Sequence, residues 1–214
     1  MGTIVRSFVA DLQAGIPELR DRAGGIAHGI VADVTLHGRG AERTSGGDLG
    51  LLIVRPHVSL EGDVARVRDY RRGLLCQAKR KKGRRFGSLS KSQRSVLPAR
   101  LPYLAILGYE FADTEGYDLE PFKWQPCHEA SVREIESWLA HGNLPSPVGS
   151  ADILTAVASG GLGTDDNDII RDVIFPAGNR ALEIRIHWPR GGPPDGKVRV
   201  WVRPAHVQPV KVRA

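Results

Sequence analysis

The 214-residue chain is predicted to fold as an α/β protein, a mixed sheet flanked by helices with a C-terminal α+β extension. Three observations predict it. Short apolar runs bounded by polar or turn residues recur at 48–54, 73–79 and 103–111 and suit buried strands. Residues 4–22 and 129–139 instead space their apolar side chains three and four apart, the rhythm of an amphipathic helix. The order strand, strand, helix, strand then calls for a layered sheet with helices on its faces. Residues 1–127 are expected to form the core, with 128–214 adding helices and a hairpin that complete it or make an interface.

The elements follow in order. Ile4, Val5, Phe8, Val9, Leu12, Ile16 and Leu19 mark a first helix, interrupted at Pro17. After Gly24 and Gly25, the β-branched Ile30, Val31, Val34 and Thr35 lead into a first strand ending near Leu36. Residues 37–47, HGRGAERTSGG, have the composition of a loop or turn. Asp48 opens the run to Val54, and Pro56 bounds it; a charged connection leads to the run Gly73-Leu-Leu-Cys-Gln-Ala-Lys79, which passes directly into RKKGRR. Residues 90–101 read as a helix capped by Ser88 or Ser90 and limited by Pro98 and Pro102. YLAILGYEF, 103–111, is the most hydrophobic strand candidate. Further helices are expected at 151–158 and 168–174, the last capped by Asp166 or Asn167, and strands at 181–188 and 197–202 are joined as a hairpin by PRGGPPDG. Trp124, Trp138, Trp188 and Trp201 all lie in the second half and read mostly as core.

Apolar residues at 41% and charged residues at 25% sit near globular averages, which argues against a disordered or fibrous chain. There is no run of 18 apolar residues, and Arg6 and Asp11 interrupt the N-terminal segment where a signal peptide needs an unbroken apolar stretch. Cys76 and Cys127 are too few for a disulfide framework or a thiolate zinc site. The expectation is a cytoplasmic protein without a membrane partner. The formal charge of +6 is unevenly spread. Residues 66–100 hold thirteen Lys and Arg against the single acid Asp69, a net +12, which leaves −6 for the other 179 residues. One concentrated basic segment on an acidic background is the footprint of a phosphate-backbone partner; docking on an acidic protein is the other reading.

Chemistry concentrates beside that segment. In a strand, Gln77 and Lys79 share a face while Cys76 and Ala78 point to the other. Should the strands bearing Asp48 and Gln77 pair, Asp48 meets Gln77 and Lys79 at one edge. Carboxylate and amide oxygens next to an ammonium suit Mg²⁺-assisted cleavage of a phosphodiester.

TSGGDLGLLI followed by RGLLCQAKR resembles the PD-(D/E)XK restriction-endonuclease-like superfamily, in the QXK form of Mrr-like restriction nucleases, over about residues 1–111. The resemblance implies that Asp48 is the metal-binding acid, Gln77 the variant second position and Lys79 the catalytic lysine. A further acid comes from the first helix or from the approach to Asp48, for which Glu18 and Glu42 compete, with Glu42 preferred for its place ahead of the Gly-Gly turn. Gly47 stands where the motif has proline, and Gln77 where it has an acid, so a cation here needs Glu42 or Glu18. The implied cofactor is Mg²⁺, with Mn²⁺ able to substitute. The implied activity is cleavage of duplex DNA, with defence against foreign DNA as its setting and a homodimer or a partner defence protein as company. The rival reading is an inactive nucleic-acid-binding module of the same fold.

Phosphate contacts are expected from Arg80, Lys81, Lys82, Arg84, Arg85, Lys91 and Arg94, with Gln93 on the following helix near the site. Aromatic residues within the segment are only Tyr70 and Phe86, so the sequence does not indicate stacking on single-stranded bases. The seven histidines show no paired ligand spacing, and TDDNDIIRD lacks the glycine and closing glutamate of a calcium loop.

Overall fold

The computed structural model describes residues 11, 31–37, 39–61, 64–111, 120–176, 183–187 and 199–203. The expected first helix, and Glu18 with it, lies outside these apart from Asp11. The chain is mixed α/β, with helices packed around a mixed sheet.

The sheet begins at β1 (Val31–Leu36) and continues as an antiparallel meander into β2 (Leu49–Glu61) and β3 (Val64–Lys82). The β2–β3 ladder runs unbroken from Leu49 opposite Cys76 to Glu61 opposite Val64. The segment expected to be a charged connection is therefore strand, because the alternation in VARVRDYRR suits a pleated ribbon as well as a loop. Past Lys82, Gly83 takes a positive φ of 58° and the chain returns as β4 (Arg85–Phe86), so Arg80, Lys81, Lys82 and Arg85 of the basic run RKKGRR are paired strand.

The helix expected over 90–101 is shorter, α2 (Lys91–Val96), followed by two 3₁₀ turns that open at Pro98 and Pro102, where proline cannot sustain an α-helical hydrogen bond. Ser90 caps it with a capping box shared with Gln93. The crossover delivers β5 (Leu104–Tyr109) parallel to β3, with Gln77 opposite Ile106 and Lys79 opposite Gly108. A strand the sequence did not suggest, β6 (Lys123–Pro126), pairs antiparallel with β5.

Helices α3 (Val132–His141) and α4 (Ser150–Ser159) follow, then one short turn α5 (Asn167–Ile169), capped by Asp166, that widens into a π turn (Ile170–Ile174). Strands β7 (Glu183–His187) and β8 (Arg199–Arg203) are antiparallel, and β7 pairs with β1. The order across the sheet is β6-β5-β3-β2-β1-β7-β8, with β4 paired to the end of β3. Residues beyond 127 thus add strands to the β1 edge.

One buried cluster joins Leu75, Leu104 and Ile106 of the central strands to Leu97, Ile135, Leu139 and Leu144, and reaches Ile170 and Ile174 of the π turn. Trp124 is fully buried, its indole N–H donating to Ser150 Oγ at 2.8 Å. Ile174 closes over Gly50 and Gly73, where added Cβ atoms would meet it at 2.2 and 2.7 Å. Only glycine lets the π turn lie this near the β2–β3 ladder.

Candidate active site

Asp48 stands one residue before β2, its N–H donating to Cys76 O at 2.8 Å, which sets it opposite Gln77. The approach to Asp48 is not the loop that its composition suggested. Residues Arg39–Ser45 form a helix, α1, because one more helical bond, Gly46 N–H to Glu42 O at 2.9 Å, closes it and Gly46 then ends it at φ 80°. A Cβ on Gly46 would lie 2.7 Å from Val96, and one on Gly47 would lie 2.4 Å from Leu75. The Gly-Gly pair lets α1 press against α2 and β3 and turns Glu42 toward the end of β3.

Five side chains meet there: Glu42, Asp48, Gln77, Lys79 and Gln93. Gln77, Lys79 and Gln93 are buried at 1%, 7% and 4% exposure. Gln93 organises them. Its Oε1 accepts from Ser90 N–H at 2.9 Å and from the Lys79 ammonium at 3.2 Å, while its Nε2 donates to Gln77 Oε1 at 2.8 Å and to Glu42 Oε1 at 3.2 Å. All four bonding positions of this amide are used. The Ser90 N–H can only meet an oxygen, so it fixes the orientation of Gln93, and Gln93 in turn directs Gln77 Nε2 onto Asp48 Oδ2. The Ala78 N–H reaches the same oxygen at 2.7 Å. Lys79 makes its second bond to Ser88 O at 3.1 Å. The capping box of α2 therefore also positions the site.

The electrostatics are those of like charges held away from water. Burial pushes the Asp48 carboxyl up to about 7; the Lys79 ammonium opposes this, while Glu42 beside it adds to it through its charge and a shared hydrogen bond. Burial holds Lys79 below the usual lysine range, opposed by Asp48 and Glu42. At neutral pH the Asp48 carboxyl is therefore only about half ionised.

Such a donor set fits a divalent cation, whose charge would relieve the repulsion between Asp48 and Glu42. Those two carboxylates would hold it. Gln77 turns its amide oxygen to Gln93 and its N–H to Asp48, so it serves here as the brace of Asp48. Among the described residues no three His, Cys, Asp or Glu side chains gather as ligands; the set is two carboxylates with amides around them.

His37, read from the sequence as an ordinary histidine, ties the site to the π turn. Its Nε2–H donates to Ile174 O at 2.8 Å, Nδ1 lies 2.9 Å from Ser45 Oγ and 3.1 Å from Gly47 O, and its backbone N–H donates to Asp48 O at 2.7 Å. Burial keeps the imidazole below its ordinary range, opposed by its contacts with the Ile174 and Gly47 carbonyls and by the Glu42 charge. No local spacing signals this role, since Ile174 is 137 residues away.

The basic segment divides. Lys82, Arg84, Arg85 and Lys91 are exposed and form no ion pair with a described residue. Arg80 is exposed and lies over the Phe111 ring at 4.4 Å. Lys81 pairs with Glu110 at 3.1 Å and Arg94 with Glu136 at 2.5 Å. Arg72 is a structural residue, donating to Leu162 O and Gly163 O. Gln93, expected near the site among the nucleic-acid contacts, spends its amide inside the cluster.

Comparison with protein-family models, curated proteins and solved structures finds no match for this chain. Among the described residues no helix is long and apolar enough to cross a membrane.

Proposed function

We propose that the chain is a metal-dependent nuclease that hydrolyses DNA phosphodiester bonds, with foreign DNA as its target. The observation that carries this reading is the meeting of Glu42 and Asp48 with Lys79 at the end of β3, from which the exposed cations Lys82, Arg84 and Arg85 continue. Charge alone supports a polyanion partner; two carboxylates and a buried lysine at its edge support cleavage.

Mg²⁺ bound at Asp48 and Glu42 would supply charge neutralisation at the phosphate and a more acidic water. The chain does the rest. Exposed cations position the backbone. Ser88 O and Gln93 Oε1 take two of the three Lys79 protons, leaving the third to stabilise charge that builds on a phosphate oxygen. Gln77 and the Ala78 N–H hold Asp48 in one orientation.

Plasmid cleavage with Mg²⁺ or Mn²⁺ tests the reading, comparing wild type with Asp48→Ala and Lys79→Ala. Cutting by wild type alone is expected. Equal cutting by all three overturns the site, and cutting by none, with DNA still bound, leaves the binding module that the Gln77 replacement suggests.

A further inference from the structure

Two residues beyond Lys79 on β3, Lys81 falls on the same strand face, about 7 Å further along. Beside it opens a cavity of about 160 Å³, outside the catalytic cluster and lined by Lys81, Phe86, Gly108, Glu110, Lys123 and Asn143, among others. An apolar void of about 150 Å³ is already enough for a benzene ring, so this one admits a planar heterocycle. Its walls are mixed. Phe86, opposite Lys81 in the β3–β4 ladder, supplies an apolar ring, and the Lys81–Glu110 pair supplies a donor and an acceptor side by side. Asn143 and Lys123 are exposed at the rim.

The floor is open because Gly108 has no side chain: a Cβ there would stand 3.1 Å from the Phe86 ring and 3.0 Å from Leu144. The rim is set by α3, whose cap Gly142 at φ 64° packs so tightly on Arg84 O that a Cβ would lie 2.1 Å from it. Asn143 is thereby brought next to the β3–β4 turn that carries Lys82, Arg84 and Arg85. Lys81, in the wall of the cavity, lies on β3 between Lys79 and those cations.

We propose that the cavity receives one unpaired nucleobase of the bound strand, its ring against Phe86 and its polar edge against Lys81 and Glu110. The preferred ligand then carries a single-stranded or displaced base beside the phosphate that reaches Lys79. That Lys79 is the reacting end rests on the nuclease reading; occupancy of the cavity does not. Phe86 was visible in the sequence as an isolated aromatic, but its partners come from β3, β5 and the end of α3.

The experiment is binding by the full chain without divalent metal, at low salt. Two fluorescent DNA duplexes of equal length are compared, one fully paired and one with a single unpaired 2-aminopurine. Stacking of one base predicts about tenfold tighter binding of the second duplex, with quenched 2-aminopurine emission. Phe86→Leu, which keeps apolar volume against Leu144, should bring that ratio close to one while paired-duplex affinity holds. Asn143→Ala, at an exposed position, should lower it without affecting the melting temperature and decides the matter should Phe86→Leu fail to fold. Equal binding of both probes by wild type, or an undiminished ratio in the variants, overturns the proposal. Failure of the nuclease reading shows separately, as absent cleavage with the binding preference retained.

Discussion

Gln93 Nε2 donates to Gln77 Oε1 at 2.8 Å, a buried amide-to-amide bond across 16 residues that couples the cap of α2 to the strand bearing Lys79. Because the same amide also holds Lys79 and Glu42, one side chain aligns an ammonium, a carboxyl group and the brace of a second carboxyl group. Replacing it with leucine leaves the Gln77 oxygen and one direction of the Lys79 ammonium unsatisfied. Gln93→Leu is expected to lower stability by about 1–3 kcal/mol and to reduce cleavage at least tenfold, measured by denaturant melts and plasmid cutting. Unchanged cutting would show that the network is scaffolding only.

Asp48 makes stability depend on pH in a particular direction. Its folded value of about 7 lies above its ordinary 3.8, so between those values the folded chain binds the proton more tightly than the unfolded one. Wild type therefore loses stability as pH rises from about 4 to about 7, and the loss is complete above 7. Asp48→Asn keeps an acceptor for the Ala78 N–H and removes the buried charge. It should be more stable than wild type at pH 8 by about 1–3 kcal/mol, with the difference shrinking toward pH 4, while being inactive. A variant less stable at pH 8 would refute the assignment.

The same proton would compete with a cation bound at Asp48. Magnesium affinity, followed by calorimetry, should fall toward tenfold per pH unit below about pH 7, because binding at Asp48 must release that proton. Flat affinity between pH 5.5 and 7 would place the ion elsewhere.

Gln77→Glu tests why an amide stands beside Asp48. A third carboxylate would lose the bond to Asp48 and face two acids, so without metal the variant should melt several degrees below wild type. Added Mg²⁺ should recover much of that loss through binding to the folded state. A variant that is stable without metal and indifferent to it would exclude a cation at this position.

For the cationic surface, single Lys82→Glu, Arg84→Glu and Arg85→Glu substitutions should each weaken DNA binding and lower the slope of log K against log salt by about 1. Arg94→Ala should change it less, since Arg94 is already paired with Glu136. Equal effects at all four positions would mean that ion pairing does not govern access.

Local chemistry encoded a good part of this. Alternation put Gln77 and Lys79 on one face, and Ser90 and Asp166 were each one of two cap candidates for their helices, because each depends on residues within a few positions; the β2–β3 register then made Asp48 the neighbour of Gln77. The turn-like composition of 37–47 concealed α1, since that helix is stabilised by packing on α2 and by Gly46 and Gly47 permitting close approach. What the sequence by itself determined is the pair of strands, their polar ends and the charge beside them. Tertiary structure decided that Glu42 is brought beside Asp48, that Gln93 faces inward, that His37 reaches Ile174, and that Phe86 borders a cavity. All but the first are contacts between segments far apart in sequence, and no local periodicity carries the distance between them.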